Sequence, residues 1–155
     1  LHLFTDASDY GMGGILLQIS KTGKRSPLAL ISKSLSAVQR RWSTYEKEAW
    51  AIVSSIHKLD YFLRGHHFTL HTDHRNLTFL RTDTSAKVGR WFLSLSEYSF
   101  DIIHVAGAQN GAADCLSRLP IKKGPVKSQV LCVQPIGLEF DANNALVKEL
   151  LELQK

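Results

Sequence analysis

Asp6, Glu48, Asp73 and Asp114 are the residues from which chemistry can be argued. Asp6 closes the apolar stretch "LHLFT" and Asp73 closes the alternating stretch "HFTLHT", each acid preceded by threonine. A carboxylate at the end of an apolar strand costs free energy unless something pairs with it. If the two strands are neighbours, the two carboxylates are adjacent. Glu48 lies in "YEKEAWAIVSSIHKL", where Tyr45, Ala49, Ile52, Val53, Ile56, Leu59 and Leu63 recur at helical spacing. At about 100° per residue, Glu48 falls roughly 40° from Ile52 and borders that apolar stripe. Glu46 falls well off the stripe, as a solvated residue favourable to the helix dipole. Asp114 stands in the first turn of a last helix, after Asn110 and Gly111. Alone, it reads as dipole stabilisation.

Four acids converging at strand ends and helix starts cannot all stay ionised without cations. An all-oxygen donor set selects hard cations, so Mg²⁺ is expected, with Mn²⁺ able to substitute. Two such ions about 3.5–4 Å apart suit in-line phosphodiester cleavage.

The elements that position these acids follow from periodicity and turn chemistry. Strands are expected at 1–7, 13–20 and 26–35, with a turn signal at Thr22 and Gly23. A helix runs from an N-cap at Thr44 to a stop at Gly65. A fourth strand covers 67–73, a short helix 75–80, and a helix carries Val88, Trp91, Phe92, Leu95 and Tyr98. "FDIIHV" gives a fifth strand, and "AADCLSRL" starts the last helix. The order βββ-α-β-α-α-β-α suits an α/β fold with a mixed sheet flanked by helices. The domain boundary is expected near 119, at 1–119; Pro120 and Pro125 flank a linker, and 120–155 ends in a short amphipathic helix.

The totals agree with one domain and a tail. The chain has 155 residues, 44% hydrophobic and 21% charged, with net charge +5. Those values exclude wholesale disorder and suit a polyanionic partner. The two cysteines, Cys115 and Cys132, imply neither a disulfide framework nor a zinc site, and the chain reads as intracellular and reduced. No apolar run is long enough to span a membrane. The absent initiator Met suggests a piece of a longer polypeptide.

These residues, "FTDAS…G.GG.LLQ", "YEKEAWAIV", "LHTDHRNL" and "RW…L..Y.FDI.HVAG..N..AD.LSR", resemble the ribonuclease H domain of reverse transcriptases from gypsy-type long-terminal-repeat retrotransposons. The likeness covers residues 1–119 in order. It implies the ribonuclease H-like fold, with a five-stranded mixed sheet. It also implies endonucleolytic hydrolysis of the RNA strand of RNA/DNA hybrids, leaving 5′-phosphate and 3′-hydroxyl ends. Carried over by motif, Asp6 would bridge two Mg²⁺ ions. Glu48 and Asp73 would hold the ion on the leaving-group side. Asp114, with Asp6, would hold the ion that activates water. The implied partners are the hybrid and the polymerase domain of the parent Pol chain, with a homodimer possible and no membrane. The implied location is intracellular, in cytoplasm and virus-like particle. The tail would lead toward an integrase region. Two departures are visible. The loop "AGAQNGAAD" holds no histidine where cellular and retroviral ribonucleases H carry one. No basic helical insertion follows residues 75–80, so hybrid affinity would depend on the polymerase part.

Gly11, Gly13 and Gly14 divide evenly between close approach of an RNA backbone and a structural need. His74 and Asn76, beside Asp73, are candidates for phosphate contact. Arg90, with Arg75 and Lys87, offers a basic rim, although a solvated face explains each alone. His66, His67, His71 and His74 lack zinc-site spacing. His104 reads as structural, the three tryptophans read as core or edge, and no base adjoins Cys115. Two other readings stay open: a catalytically silent ribonuclease H-like module for structure or dimerisation, and another nuclease or integrase on the same fold. All four acids are present, which argues against decay. The order of the acids and the "AD.LSR" ending argue against integrase.

Overall fold

The computed structural model describes residues 1–79, 85–119 and 129–132. Its strands are β1 (His2–Ala7), β2 (Gly11–Ile19), β3 (Arg25–Ser34), β4 (His67–Thr72), β5 (Ser99–His104) and β6 (Gln129–Cys132). Its helices are α1 (Thr44–Lys58), α2 (Asp60–Leu63), α3 (Ala86–Leu93) and α4 (Gly111–Arg118), with a 3₁₀ turn over Arg75–Phe79. The sheet order is β5-β4-β1-β2-β3-β6. β1, β2 and β3 form an antiparallel meander, while β4 joins β1, and β5 joins β4, in parallel. The five expected strands form the mixed sheet. The sixth, β6, pairs antiparallel with β3 from a segment expected to be linker. The expected C-terminal helix lies outside the described residues.

Alternation along the strands builds two cores, because successive side chains face opposite sides of a sheet. Leu3, Leu16 and Ile31 face α1 and meet Ala49, Ile52, Val53 and Ile56. Phe4, Ile15, Leu17 and Leu30 face α4 and meet Ala112, Ala113 and Leu116. The sheet is thus covered on both faces, and its strand ends lie between α1 and α4.

Three boundaries differ from expectation. Ser43, not Thr44, caps α1: its Oγ accepts from the Glu46 N–H, and the Glu46 carboxylate accepts from the Ser43 N–H. This reciprocal pair satisfies two otherwise orphaned donors. Glu46 is therefore engaged rather than freely solvated, and it also pairs with Lys87 at 3.1 Å. The helix expected over 44–64 breaks at Leu59 into α1 and α2, and Gly65, at φ +77°, supplies the left-handed turn that ends it. α3 stops at Leu93, although Leu95 and Tyr98 beyond it are still buried.

Candidate active site

β1 and β4 run side by side and in parallel, so the acids that follow the same apolar pattern arrive at the same edge. α1 crosses beside them with Glu48 on its buried side. Asp6, Glu48 and Asp73 each offer a carboxylate oxygen, and these oxygens all lie within 4.8 Å of one another. Asp6 and Glu48 are only 4% exposed. The helical position that separates Glu48 from Glu46 in the sequence is thus the one that places it in the cluster. Among the described residues this is the single group of three with metal-binding reach.

Burial and mutual repulsion set the proton affinities. Burial first, then the Asp6 and Asp73 charges, push Glu48 up to about 9, against an opposing hydrogen bond from the Ala7 N–H at 3.2 Å. Asp6 is pushed up to about 6, again chiefly by burial, with Asp73 and Asp114 adding repulsion; a hydrogen bond from Ser117 opposes this. The second Glu48 oxygen, Oε2, is buried with no partner. A buried, unpartnered carboxylate oxygen beside two more carboxylates fits a hard cation, which satisfies the oxygens and removes the repulsion together. Asp6, Glu48 and Asp73 are the residues that would hold it.

Asp114 stands apart from this trio. It lies on α4, within electrostatic reach of Asp6 and Glu48, and its Oδ1 accepts from Arg118 Nε at 2.6 Å, one helical turn on. Its carboxylate is half-exposed and paired, so the fourth acid borders the cluster.

The candidate substrate contacts divide. His74, Asn76 and Arg90 sit on the surface side: Asn76 and Arg90 are exposed, and the His74 ring is 5.8 Å from Tyr45. At Gly11 the structural alternative has a physical basis. An added Cβ there would lie 2.9 Å from the backbone oxygens of both Lys33 and Ser117. At Gly13, paired with Asp6 across the strands, it would lie 2.3 Å from the Ala113 oxygen. These glycines let α4 lie directly on β2, and that close approach explains them without an RNA backbone. Lys87 is likewise engaged, over the Trp42 ring at 3.7 Å and against Glu46. Of the four histidines between 66 and 74, His71 stacks on Phe4 at 4.1 Å and shares a 3.0 Å hydrogen bond with His2, and burial lowers it to about 4.

Sequence reasoning missed the supports of the acids. Ser117 Oγ donates to Asp6 Oδ2 at 2.7 Å. His104 Nε2, at the end of β5, lies 3.1 Å from the Asp73 carbonyl oxygen. Asn110, buried before α4, donates from Nδ2 to the Thr5 carbonyl at 2.9 Å and so ties α4 to β1 just ahead of Asp6. No local signal in the sequence marks these contacts, since each joins elements far apart along the chain.

A family model described as "RNase H-like domain found in reverse transcriptase" matches residues 1–98. Similar proteins include the retrovirus-related Pol polyprotein from transposon opus of Drosophila melanogaster. It is 38% identical over 122 residues, which cover 77% of this chain and 12% of that protein. The corresponding polyprotein from transposon 412 of the same fly is 35% identical over 155 residues, 97% of this chain and 12% of that protein. The transposon Tf2-3 polyprotein of Schizosaccharomyces pombe is 33% identical over 158 residues, 95% and 12% respectively. The chain therefore spans about an eighth of the length of these relatives. Among solved structures, LC11-RNase H1 in complex with an RNA/DNA hybrid has TM-score 0.52 at 13% identity, over 74% of this chain and 91% of that one. A second structure of the same compost-derived enzyme gives 0.54 at 13% identity, over 74% and 89%. At that identity the likeness is one of fold, and it agrees with the sheet described above. The extent of the family match, together with relatives more than 30% identical along most of its length, makes this chain a member of the RNase H-like domains found in reverse transcriptases.

Proposed function

We propose that this chain hydrolyses the RNA strand of RNA/DNA hybrids as part of a retrotransposon Pol polyprotein, leaving 5′-phosphate and 3′-hydroxyl ends. The observation that carries the reading is the trio Asp6, Glu48 and Asp73, which bring one carboxylate oxygen each within 4.8 Å of one another, with Glu48 Oε2 buried without a partner. Asp6, Glu48 and Asp73, with Asp114 from α4, are the residues that would hold two Mg²⁺ ions, or Mn²⁺ in their place. Such ions, when bound, supply a water activated near neutral pH and charge stabilisation of the attacking and leaving oxygens.

The chain's own contribution is positioning. Asp6 is held from α4 by Ser117, Glu48 by the Ala7 N–H, and the Asp73 backbone by His104. Arg118 balances the charge of Asp114. His74 and Asn76, which follow Asp73 in the chain, and Arg90, exposed on α3, would meet phosphates, which orient a duplex without reading its sequence. The domain is taken as 1–119, followed by a connector that lends β6 to the sheet. The partners are the hybrid and the polymerase part of the parent chain, with homodimerisation a further option, in an intracellular particle. Among the described residues no helix is long and apolar enough to cross a membrane.

The test of the substrate class is digestion of four labelled duplexes of one sequence: RNA/DNA, RNA/RNA, DNA/DNA and the hybrid with a methylated 2′-oxygen. Cleavage of the RNA/DNA hybrid alone, dependent on Mg²⁺ or Mn²⁺, is expected. Equal cleavage of DNA/DNA, or none of the hybrid with the polymerase part restored, would overturn the reading.

A further inference from the structure

We infer that Ser117 is a positioning residue for the metal site, fixing the Asp6 carboxylate and coupling it to the helix that carries Asp114. The inference rests on the function proposed above. Ser117 is 2% exposed, and its Oγ lies 2.7 Å from Asp6 Oδ2 and 2.8 Å from the Asp114 carbonyl oxygen. The hydroxyl has one proton for two acceptors, and an ionised carboxylate is the stronger acceptor. With Oδ2 held, the orientation of the other Asp6 oxygen is fixed as well. The backbone of Ser117 is itself anchored: its carbonyl accepts from Ser8 Oγ at 2.7 Å, in the turn that follows β1. Ser117 therefore links both sides of the site, with Asp6 on β1 and Asp114 on its own helix. Hydrogen-bond partners of metal ligands orient them, and their loss typically weakens metal affinity or activity by about 10- to 100-fold.

The rival explanation is that Ser117 only docks α4. Ser32 separates the two, because its Oγ donates to the Leu116 carbonyl at 2.8 Å and so anchors the same turn of α4 to β3 without touching Asp6. The experiment is calorimetric titration of Mn²⁺ into the hybrid-free 155-residue chain, as wild type, Ser117→Ala, Ser117→Thr and Ser32→Ala, with thermal melts confirming folding. Hybrid cleavage is measured alongside. Ser117→Ala is expected to weaken Mn²⁺ binding by about 10- to 100-fold and to lower kcat with KM for hybrid unchanged. Ser117→Thr should recover both, and Ser32→Ala should bind Mn²⁺ as wild type does. Should Ser117→Ala not fold, Ser117→Cys, whose thiol is a weak donor, takes its place and should weaken binding partially. Wild-type affinity in the Ala or Cys variant, an equal loss in Ser32→Ala, or a wild type that takes up no Mn²⁺ would overturn the inference. If Mn²⁺ binding grades as expected and the wild type leaves the hybrid intact, the proposed substrate falls while the role of Ser117 stands.

Discussion

Glu48 is the residue whose chemistry most constrains the rest. Its proton affinity rises from an ordinary carboxylate value of 4.5 to about 9, mainly through burial and then through Asp6 and Asp73. In the metal-free chain the folded state therefore holds a proton that the unfolded state has released over most of the range from 4.5 to 9. Stability consequently falls as pH rises through that window, and Asp6, raised from 3.8 to about 6, adds the same slope lower down. Thermal melts in chelator are expected to show a lower Tm at pH 8 than at pH 5.5. Glu48→Gln keeps the shape of the protonated acid and removes this penalty. It should raise the metal-free Tm at pH 8 by on the order of 5 °C, the scale of about 1–2 kcal/mol for a chain of this size, and abolish hybrid cleavage. A metal-free Tm independent of pH, or lowered by Glu48→Gln, would contradict the account. Glu48 itself was legible in the sequence because helical spacing alone separates it from Glu46. Ser117 was not, because its partner Asp6 lies on a distant strand, and only the docking of α4 brings the two together.

At the scale of elements, the site depends on how closely α4 lies on β2. Gly13 has no room for a side chain, with the Ala113 oxygen 2.3 Å from where a Cβ would be. Gly13→Ala should cost about 1–3 kcal/mol in chemical denaturation, as overpacking does, and should lower cleavage further by displacing Asp114. Unchanged stability would show that α4 yields at no cost. The cap of α1 is a gentler probe. Ser43→Ala should cost about 1 kcal/mol and leave cleavage almost intact, since it loosens the first turn while Glu48 remains packed. A large loss of cleavage at unchanged stability would contradict that. The five strands and the principal helices were legible because alternation and 3.6-residue periodicity are strong in their sequences. Their ends were less so: Ser43 and Thr44 are both good caps, and the choice falls to Glu46, three residues after Ser43. β6 was hidden because four residues, "QVLC", carry no pattern of their own, and their pairing comes from the open edge of β3. The glycines stayed open between two readings in the sequence because their meaning depends on what lies opposite them.

At the scale of the whole molecule, a chain of net charge +5 carries a cluster of three acids, two of them buried. Metal binding should therefore stabilise the fold, since the ion binds the folded trio and not the dispersed chain. Millimolar Mg²⁺ should raise Tm, and by more at pH 8 than at pH 6, where protons compete for Glu48 and Asp6. The Asp73→Asn chain should lose most of that shift. Hybrid binding, by contrast, should draw on the net charge of +5 and weaken as salt rises, with a slope set by the number of phosphates contacted. The fold and the family were legible at this scale because short motifs recur in order along the chain. The supports of the acids were not, since they are contacts between elements far apart in sequence.

The most direct test of the central claim is cleavage of a labelled RNA/DNA hybrid by the wild-type chain and by Asp73→Asn, each titrated with Mg²⁺ and Mn²⁺, joined to the polymerase part where the isolated domain binds hybrid weakly. Metal-dependent cuts in the RNA strand with 5′-phosphate ends are expected, reduced by about 10²-fold or more in Asp73→Asn, the scale expected when a ligand that stabilises transition-state charge is removed. Cleavage that persists in Asp73→Asn, or an inert wild type that binds the hybrid in either metal, would contradict it.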